Sequence, residues 1–435
     1  MLCLFLSLAG RAQKLDLSLE DCLGMALLND VSVRNARLDV LASRAQKQEA
    51  AAEYFPKVFV SSYGFMALDP LLQIGVKDIL GPGFDLPFTY SSLKSGFAAS
   101  LTAIQPLYAG GRIVAGNRLA ELGEAASAVK DEMAVRDVME SVEKDYWKVV
   151  ALEEKAGTLD ASEAFLANLS ADVAAAAEAG LVLDTDLMQV ELKRNELKRL
   201  RLSLTGGIRL AKMNLLDAIG QDYSLIPALA GSNKPHIDSV FLSGKVSCLR
   251  APGEYHVPEE EILEGLSEAR LLDMSVEEKT LRKNMTLGDA LPQVGVGASY
   301  GYSQILNSRF NGIVFAMLRI PVSDWGKVSR RVQRMDHELQ KARNDREHLR
   351  EMLLLQIRSL WLDLNVAWEN VSLARDGAAL ARKTADMMLA RYEAGLVSLS
   401  DLLEARAGLR SACDACTDAE TAYVSSLAAY LSLQK

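Results

Sequence analysis

The chain has 435 residues, 49% hydrophobic and 24% charged but only 6% aromatic, with a formal net charge of −9. That composition is ordinary for folded protein. The acidic balance argues against a nucleic-acid partner, because it leaves no basic stripe to displace counterions, and it suits a solvated surface or a lumen that favours cations. The 11 prolines gather in a few places, leaving long stretches rich in Ala, Leu, Glu, Lys and Arg, the composition of extended helix rather than of compact α/β layers.

In chain order, MLCLFLSLAGRAQ offers a short apolar run and small residues ending at Ala12, without a positive start. It reads as a clipped secretory signal over 1–16, since a membrane span needs about 20 apolar residues. Two residues precede Cys3, few for a lipidation signal. No later apolar run is long enough to cross a bilayer as a helix, so any passage through a membrane must be made by strands.

VSVRNARLDVLASRAQKQEAAAEYFP then predicts a helix, and FPKVFVSSYGF a strand of about ten alternating residues after its proline. A long connection (ALDPLLQIGVKDILGPGFDLPFTYSS) leads to a second extended run at 95–106, completing a hairpin. IQPLYAGGR follows. Pro106, Gly110, Gly111 and Arg112 read as a tight strand-to-helix turn.

From Arg112 to Ala179 there are 68 residues without proline, about 100 Å of helix at 1.5 Å per residue. The run ends in EAGLV, and the same word returns 215 residues later in RYEAGLVSLSDL. In each copy the glycine, Gly180 or Gly395, is predicted to be a left-handed helix C-cap, and polar residues start the returning helix: Asp184 and Thr185 in one, Ser398 and Ser400 in the other. Each EAGLV therefore marks the tip of a helical hairpin.

Residues 222–262 collect four prolines and two of the four histidines and read as a linker. Beyond it the design repeats. MSVEEKTLRKNMTLGDALP is a matching helix, seven residues shorter than its counterpart. LPQVGVGASYGYS places Val294, Val296, Ala298, Tyr300 and Tyr302 on one face, opposite Gln293, Gly295, Gly297, Ser299 and Ser303. A second run at 311–321 closes the second hairpin. Pro321, Gly326 and Lys327 then repeat Pro106, Gly111 and Arg112, and Trp361 repeats Tyr146, all at a shift of 215. The division is thus 17–221 for the first repeat, 222–262 for the linker and 263–435 for the second repeat.

Four strands of about ten residues suit a tilted crossing of an outer membrane. They cannot close alone, since about eight is the minimum for a barrel. Closure must come from other subunits, and three copies supply twelve strands.

The LSLEDCLGMALLND opening, the two proline-led hairpins, QPLYAGGR and RYEAGLVSLSDLLEA together resemble the TolC-like outer-membrane efflux proteins. The resemblance implies a mainly α fold with a small β part: long antiparallel helical hairpins forming a tunnel, plus four strands per chain in a trimeric twelve-stranded barrel. It implies a homotrimer in outer-membrane lipid of a Gram-negative bacterium, with a long periplasmic extension. It further implies a porin-like exit duct of an efflux or type I secretion system, docked at its tips to a periplasmic adaptor and an inner-membrane pump. On this reading Gly180, Leu181, Val182, Gly395, Leu396 and Val397 form the adaptor-docking tips. Thr185, Asp186 and Tyr392 match positions that tie neighbouring hairpins shut. The family's basic residue after the glycine is replaced here by Val397.

Asp401 and Glu404 match the family's acidic entrance ring, and they share one helix face. Acids in a first helical turn also complement the helix dipole and its free amides, and both readings stand at this stage. No catalytic, cofactor or metal site is expected. His236 and His256 fall in the linker and His337 and His348 on a charged helix, none with a partner at metal-ligand spacing. The odd, irregular set of five cysteines gives no disulfide framework, and the CxxC of Cys413 and Cys416 reads as small residues on a helix. The rival to the channel is a non-channel periplasmic coiled-coil scaffold, which has no reason to put Val, Ala and Tyr on one strand face opposite Gly and Ser.

Overall fold

The computed structural model describes residues 15–69, 72–75, 89–92, 95–179, 182–225, 236–244, 249–304 and 309–434. Most of the signal-like segment, Cys3, Cys248, Gly180 and Leu181 lie outside the described residues. The chain divides into two compact units, one of Met1–Leu38, Ala128–Leu271 and His348–Lys435, the other of Asp39–Ser127 and Leu272–Glu347.

The second unit holds a four-stranded antiparallel sheet in the order β2 (Lys57–Met66), β5 (Ser95–Ala109), β7 (Gln293–Ser303), β8 (Arg309–Arg319). The register stacks Val60, Leu101 and Tyr300 side by side, and Ala103, Ala298 and Val314. The alternation expected for 293–303 therefore runs across the sheet as one apolar face. On the opposite face Ser61 meets Ser100 (3.3 Å) and Thr102 meets Ser299 (3.0 Å). β2 and β8, at the two edges, carry large apolar residues on both faces, among them Phe59, Tyr63, Ile313 and Met317.

Helices enter and leave this sheet through links of two to seven residues, and their pairing follows the strand order. α2 (Val31–Ala52) leads into β2 and α6 (Ser267–Gly288) into β7, while β5 runs into α3 (Arg112–Glu178) and β8 into α7 (Lys327–Glu393). α2 meets α3 through Ser43 with Ser127 (2.6 Å) and Lys47 with Glu124 (2.9 Å). α6 meets α7 through Lys283 with Asp336 (2.6 Å). Asp289, just past α6, holds Arg112 (3.2 Å) and Arg331 (3.0 Å) at once, clamping the first turns of α3 and α7 to one carboxylate.

Two expectations change here. α6 begins at Ser267, seven residues ahead of the quoted run, so α2 and α6 are both 22 residues long. The long first connection is also not plain loop, since β3 (Leu72–Gly75) pairs with β4 (Thr89–Ser92) inside it. Each 22-residue helix follows a shorter one across a single extended residue: Asp30 after α1 (Leu19–Asn29), Leu266 after α5 (Glu259–Gly265).

In the first unit α1 packs on α3 and on α4 (Asp184–Ala218) around Cys22, Ala26, Val142, Tyr146, Val149 and Leu215. β1 (Leu15–Leu17) pairs in parallel with β6 (Val240–Leu242), inside the segment read as linker. Lys212 is buried under this pair, its ammonium donating to the Val240 carbonyl (2.6 Å) and paired with Glu153 (2.7 Å), so the charge is matched where burial would otherwise be costly. α5 packs in the same manner on α7 and on α8 (Leu399–Ser432), burying Ile357, Leu364, Tyr423 and Tyr430. Ile357 and Leu364 stand 215 residues after Val142 and Val149, and all four are buried.

The strand-to-helix turns use left-handed backbone twice in succession: Gly110 (φ 63) and Gly111 (φ 79), then Trp325 (φ 55) and Gly326 (φ 78). A Cβ on Gly110 would lie 2.3 Å from the Gly288 carbonyl oxygen, whereas one on Gly111 would meet open space. Trp325, 98% exposed, takes the strained position where nothing crowds it. Asp324 closes that turn by accepting from the amides of Gly326 (3.0 Å) and Val328 (2.6 Å). Gly111→Ala should therefore cost about 1–2 kcal/mol, the penalty for an L-residue in this region, and Gly110→Ala more, because it adds a backbone clash. Thermal denaturation of the two variants in mild detergent checks the order; an equal loss would contradict the close approach of Gly288.

Candidate functional site

The two hairpin tips and the strand face are the places where the sequence concentrates its signals, and the tips are built in the first unit. Leu159, Leu166, Leu169 and Val173 of α3, Val190 and Leu197 of α4, and Leu399, Leu402 and Leu403 of α8 form one buried cluster. Phe165, Val182, Leu187, Met388, Leu389 and Tyr392 pack against it. Both hairpins contribute, and polar contacts join them: Ser400 with Gln189 (3.1 Å), Thr158 with Asp414 (2.8 Å) and Lys155 with Asp418 (2.5 Å).

The predicted tip residues fare unequally. Gly395 is left-handed (φ 72) as expected, and the amide of Leu396 closes the helix end on the Arg391 carbonyl (2.9 Å). Leu396 is 74% exposed, whereas Val397 is half-buried and Val182 packs on the cluster, so these two are less available for docking than expected. Ser398 is the N-cap of α8. Asp184 and Thr185 do not cap α4: its N-cap is Leu183, which has no side-chain oxygen to offer the free amides. Thr185 is exposed, and the Asp186 amide donates to the Leu183 carbonyl (3.0 Å). Tyr392 is half-buried; burial raises its phenol pKa, and the nearby Asp186 and then Asp172 raise it further.

Asp401 and Glu404 are both exposed, but they are not equivalent. Asp401 Oδ2 accepts from the Ser398 amide (3.1 Å) and hydroxyl (2.7 Å), while the Asp401 amide donates to Ser398 Oγ (3.2 Å), a reciprocal capping box. Glu404 enters no ion pair among the described residues. The Ser398 hydroxyl and then its amide hold the Asp401 carboxyl below the usual aspartate range. A depressed folded-state pKa stabilises above the unfolded value, near 4, and that stabilisation is lost as pH falls through the lower folded value. Protection against hydrogen exchange in the first turn of α8, taken relative to the intrinsic rate at each pH, should therefore fall as the pH drops below that range. In Ser398→Ala the Asp401 carboxyl should titrate at a higher pH. An unchanged titration would separate Asp401 from the cap.

Among the described residues no three His, Cys, Asp or Glu side chains gather where they could hold a metal ion. Cys413 and Cys416 are half-buried free thiols. None of the helices, among the described residues, is long and apolar enough to cross a membrane.

Residues 274–433 match the model of the outer membrane efflux protein family. No curated protein matches the sequence. Among solved structures, the chain is similar to the CmeC outer membrane channel of Campylobacter jejuni, at 16% identity over 95% of this chain and 85% of that one, with a TM-score of 0.77. It is similar also to the outer membrane protein VceC of Vibrio cholerae, at 15% identity over 95% of both chains and a TM-score of 0.74. The open state of the MtrE outer membrane channel of Neisseria gonorrhoeae covers 95% of this chain and 88% of its own at 15% identity, with a TM-score of 0.73. Residues 274–433 thus resemble the outer membrane efflux protein family, and the chain as a whole takes the fold of these solved outer membrane channels.

Proposed function

We propose that the protein is an outer-membrane exit duct of a tripartite efflux or type I secretion system, with its helical hairpins in the periplasm of a Gram-negative cell, and that it is not an enzyme. The observation that carries this reading is the sheet. Its apolar face is shared by all four strands, Val314 in the edge strand β8 is 86% exposed, and β2 and β8 each pair on one side among the described residues. In hydrocarbon an unpaired strand edge leaves backbone groups with no partner, at a cost of several kcal/mol each. Closure by copies of the same sheet removes both edges, and three copies give twelve strands, above the roughly eight that a barrel needs.

The helices support the same closure. α7 exposes Met352, Val366, Leu373, Leu380 and Met387 at steps of seven or fourteen, with Leu355 and Leu362 as a second row. α4 exposes Met188, Leu192, Leu202 and Leu210. A seven-residue apolar repeat is a coiled-coil seam, and a second copy of this chain is the occupant that would cover it. The recurring order of helix, paired strands and two returning helices supports a duplicated chain, with repeats at 17–221 and 263–435 joined by the 222–262 segment. A soluble scaffold would leave the sheet face without an explanation.

The tips are the docking surface for a periplasmic adaptor, which in turn meets an inner-membrane pump. Leu396 is its apolar anchor, since among the described tip residues it is the apolar side chain that stands most clear of the core. Asp401 and Glu404, repeated by three-fold symmetry, would place carboxylates around one axis and favour cations. Glu404 carries more of that effect, because Asp401 is engaged by its own cap.

In mild detergent the mass should be three times 47.4 kDa; a monomer or dimer would sink the barrel. Leu396→Asp should abolish export while trimer and membrane insertion persist, and unchanged export would remove the tip as a docking site. In planar bilayers Glu404→Ala should weaken cation preference and any block by multivalent cations from the tip side. The same selectivity and block in Glu404→Ala and in the double variant with Asp401→Ala would leave these acids as helix-end residues.

A further inference from the structure

In the first unit a cavity of about 580 Å³ lies beside the tip cluster, walled by α3, α4 and α8 with Arg382 of α7 at its rim. The volume is in the range of small-molecule sites. Leu166, Leu197 and Leu403, all nearly fully buried, supply its apolar floor. The charges around it do not balance. Lys193, Arg382, Arg406 and Arg410 line it against Glu154 and Glu196, in a chain whose overall charge is −9.

Two of these cations are matched close by: Lys193 by Glu196 (2.9 Å) and Arg410 by Asp414 (2.9 Å). Arg382 is exposed and makes no ion pair among the described residues. Arg406 is stranger. Its guanidinium lies over the Phe165 ring, 4.3 Å from the centroid, and reaches Asp386 at 3.8 Å, while its Nε is buried and meets no acceptor among the described residues. A buried donor of this kind is rare in folded proteins, and with Asp386 no nearer than 3.8 Å it leaves the Arg406 guanidinium incompletely satisfied beside the cavity.

We propose that this cavity binds an amphiphilic monoanion, an alkyl carboxylate or sulfonate. The head group accepts from Arg406 and Arg382 at the rim. The apolar chain lies along Leu166, Leu197 and Leu403. A guanidinium is suited to this task because it offers planar, paired donors to a carboxylate and remains charged throughout the physiological range. The aromatic ring beneath Arg406 fixes the guanidinium plane, so that little freedom is lost when the anion arrives.

Cys413 lines the cavity and Cys416 does not, which supplies a readout inside the native protein. The trimer in lipid nanodiscs is alkylated with iodoacetamide, with or without decanoate below its micelle concentration, and the two cysteines are followed by mass spectrometry. Decanoate at about four times its dissociation constant should slow Cys413 roughly fivefold, because blocking by a bound ligand scales as one plus the ratio of free ligand to that constant, and leave Cys416 unchanged. Decanol, which has a similar chain and no charge, should not protect. Arg406→Gln should abolish the protection, and Arg382→Gln should reduce it, the latter on an exposed rim where packing is untouched. The proposal is overturned by a Cys413 that decanoate does not protect or that is unreactive without it, by equal protection from decanol, or by full protection in both arginine variants. A water molecule satisfying Arg406 Nε would give the first of these results.

Discussion

The sheet passes directly into the helices, and that continuity governs the rest of the second unit. β5 ends at Ala109 and α3 begins at Arg112, with two left-handed glycines between them. With so short a link, β5 fixes where α3 starts beside α2, while the seven residues between β8 and α7 leave the α6 and α7 pair to the Asp289 clamp and to contacts along the helices. The helix contacts are largely exposed ion pairs and hydroxyl bonds, each worth little alone. Asp289 has a larger task, since one carboxylate serves the first turns of two helices.

The first unit solves a different problem. Long helices with small apolar stripes gain little from propensity over such lengths and need tertiary packing to hold them. Three buried clusters supply it. Two are near-equivalent, each formed by a short helix wedged against a long helical pair, and the third gathers residues from both hairpins. The parallel β1 and β6 pair adds a stitch, and Lys212 fastens it from beneath.

Much of this was legible in the sequence. Strand alternation at 293–303 survives because β7 is a central strand with one apolar face, a pattern the edge strands β2 and β8 do not keep, and the Pro and Gly punctuation survives because left-handed turns are costly for other residues. The less legible features depend on tertiary context. Asp30 and Leu266 interrupt helices without proline, because the short helix before each is turned to bury Ala26 or Leu263. β3 and β4 are four residues each, too short for periodicity to register. Trp325 adopts a left-handed backbone that its side chain gives no reason to expect, tolerated where it is unobstructed. The cavity beside Arg406 was not foreseen, since Phe165, Leu197 and Arg406 lie on three different helices and share no spacing in sequence.

The two tips, read as copies of one word, have diverged in how they start the returning helix. α8 begins with a closed capping box and a hydroxyl contact to the other hairpin, while α4 begins at Leu183 with Asp184 and Asp186 facing its free amides through the dipole alone. Side-chain caps satisfy donors that water must otherwise serve. The start of α4 is therefore held by packing, through Val182 and Leu187 on the shared cluster, and the start of α8 by hydrogen bonds as well. Local opening is easier where fewer such bonds must break, so among the described residues the first turn of α4 is held less firmly than that of α8. Burial of Tyr392 on the same cluster couples the end of α7 to the start of α4, because any withdrawal of Val182 or Leu187 uncovers apolar surface of the cluster on which the tyrosine ring also packs.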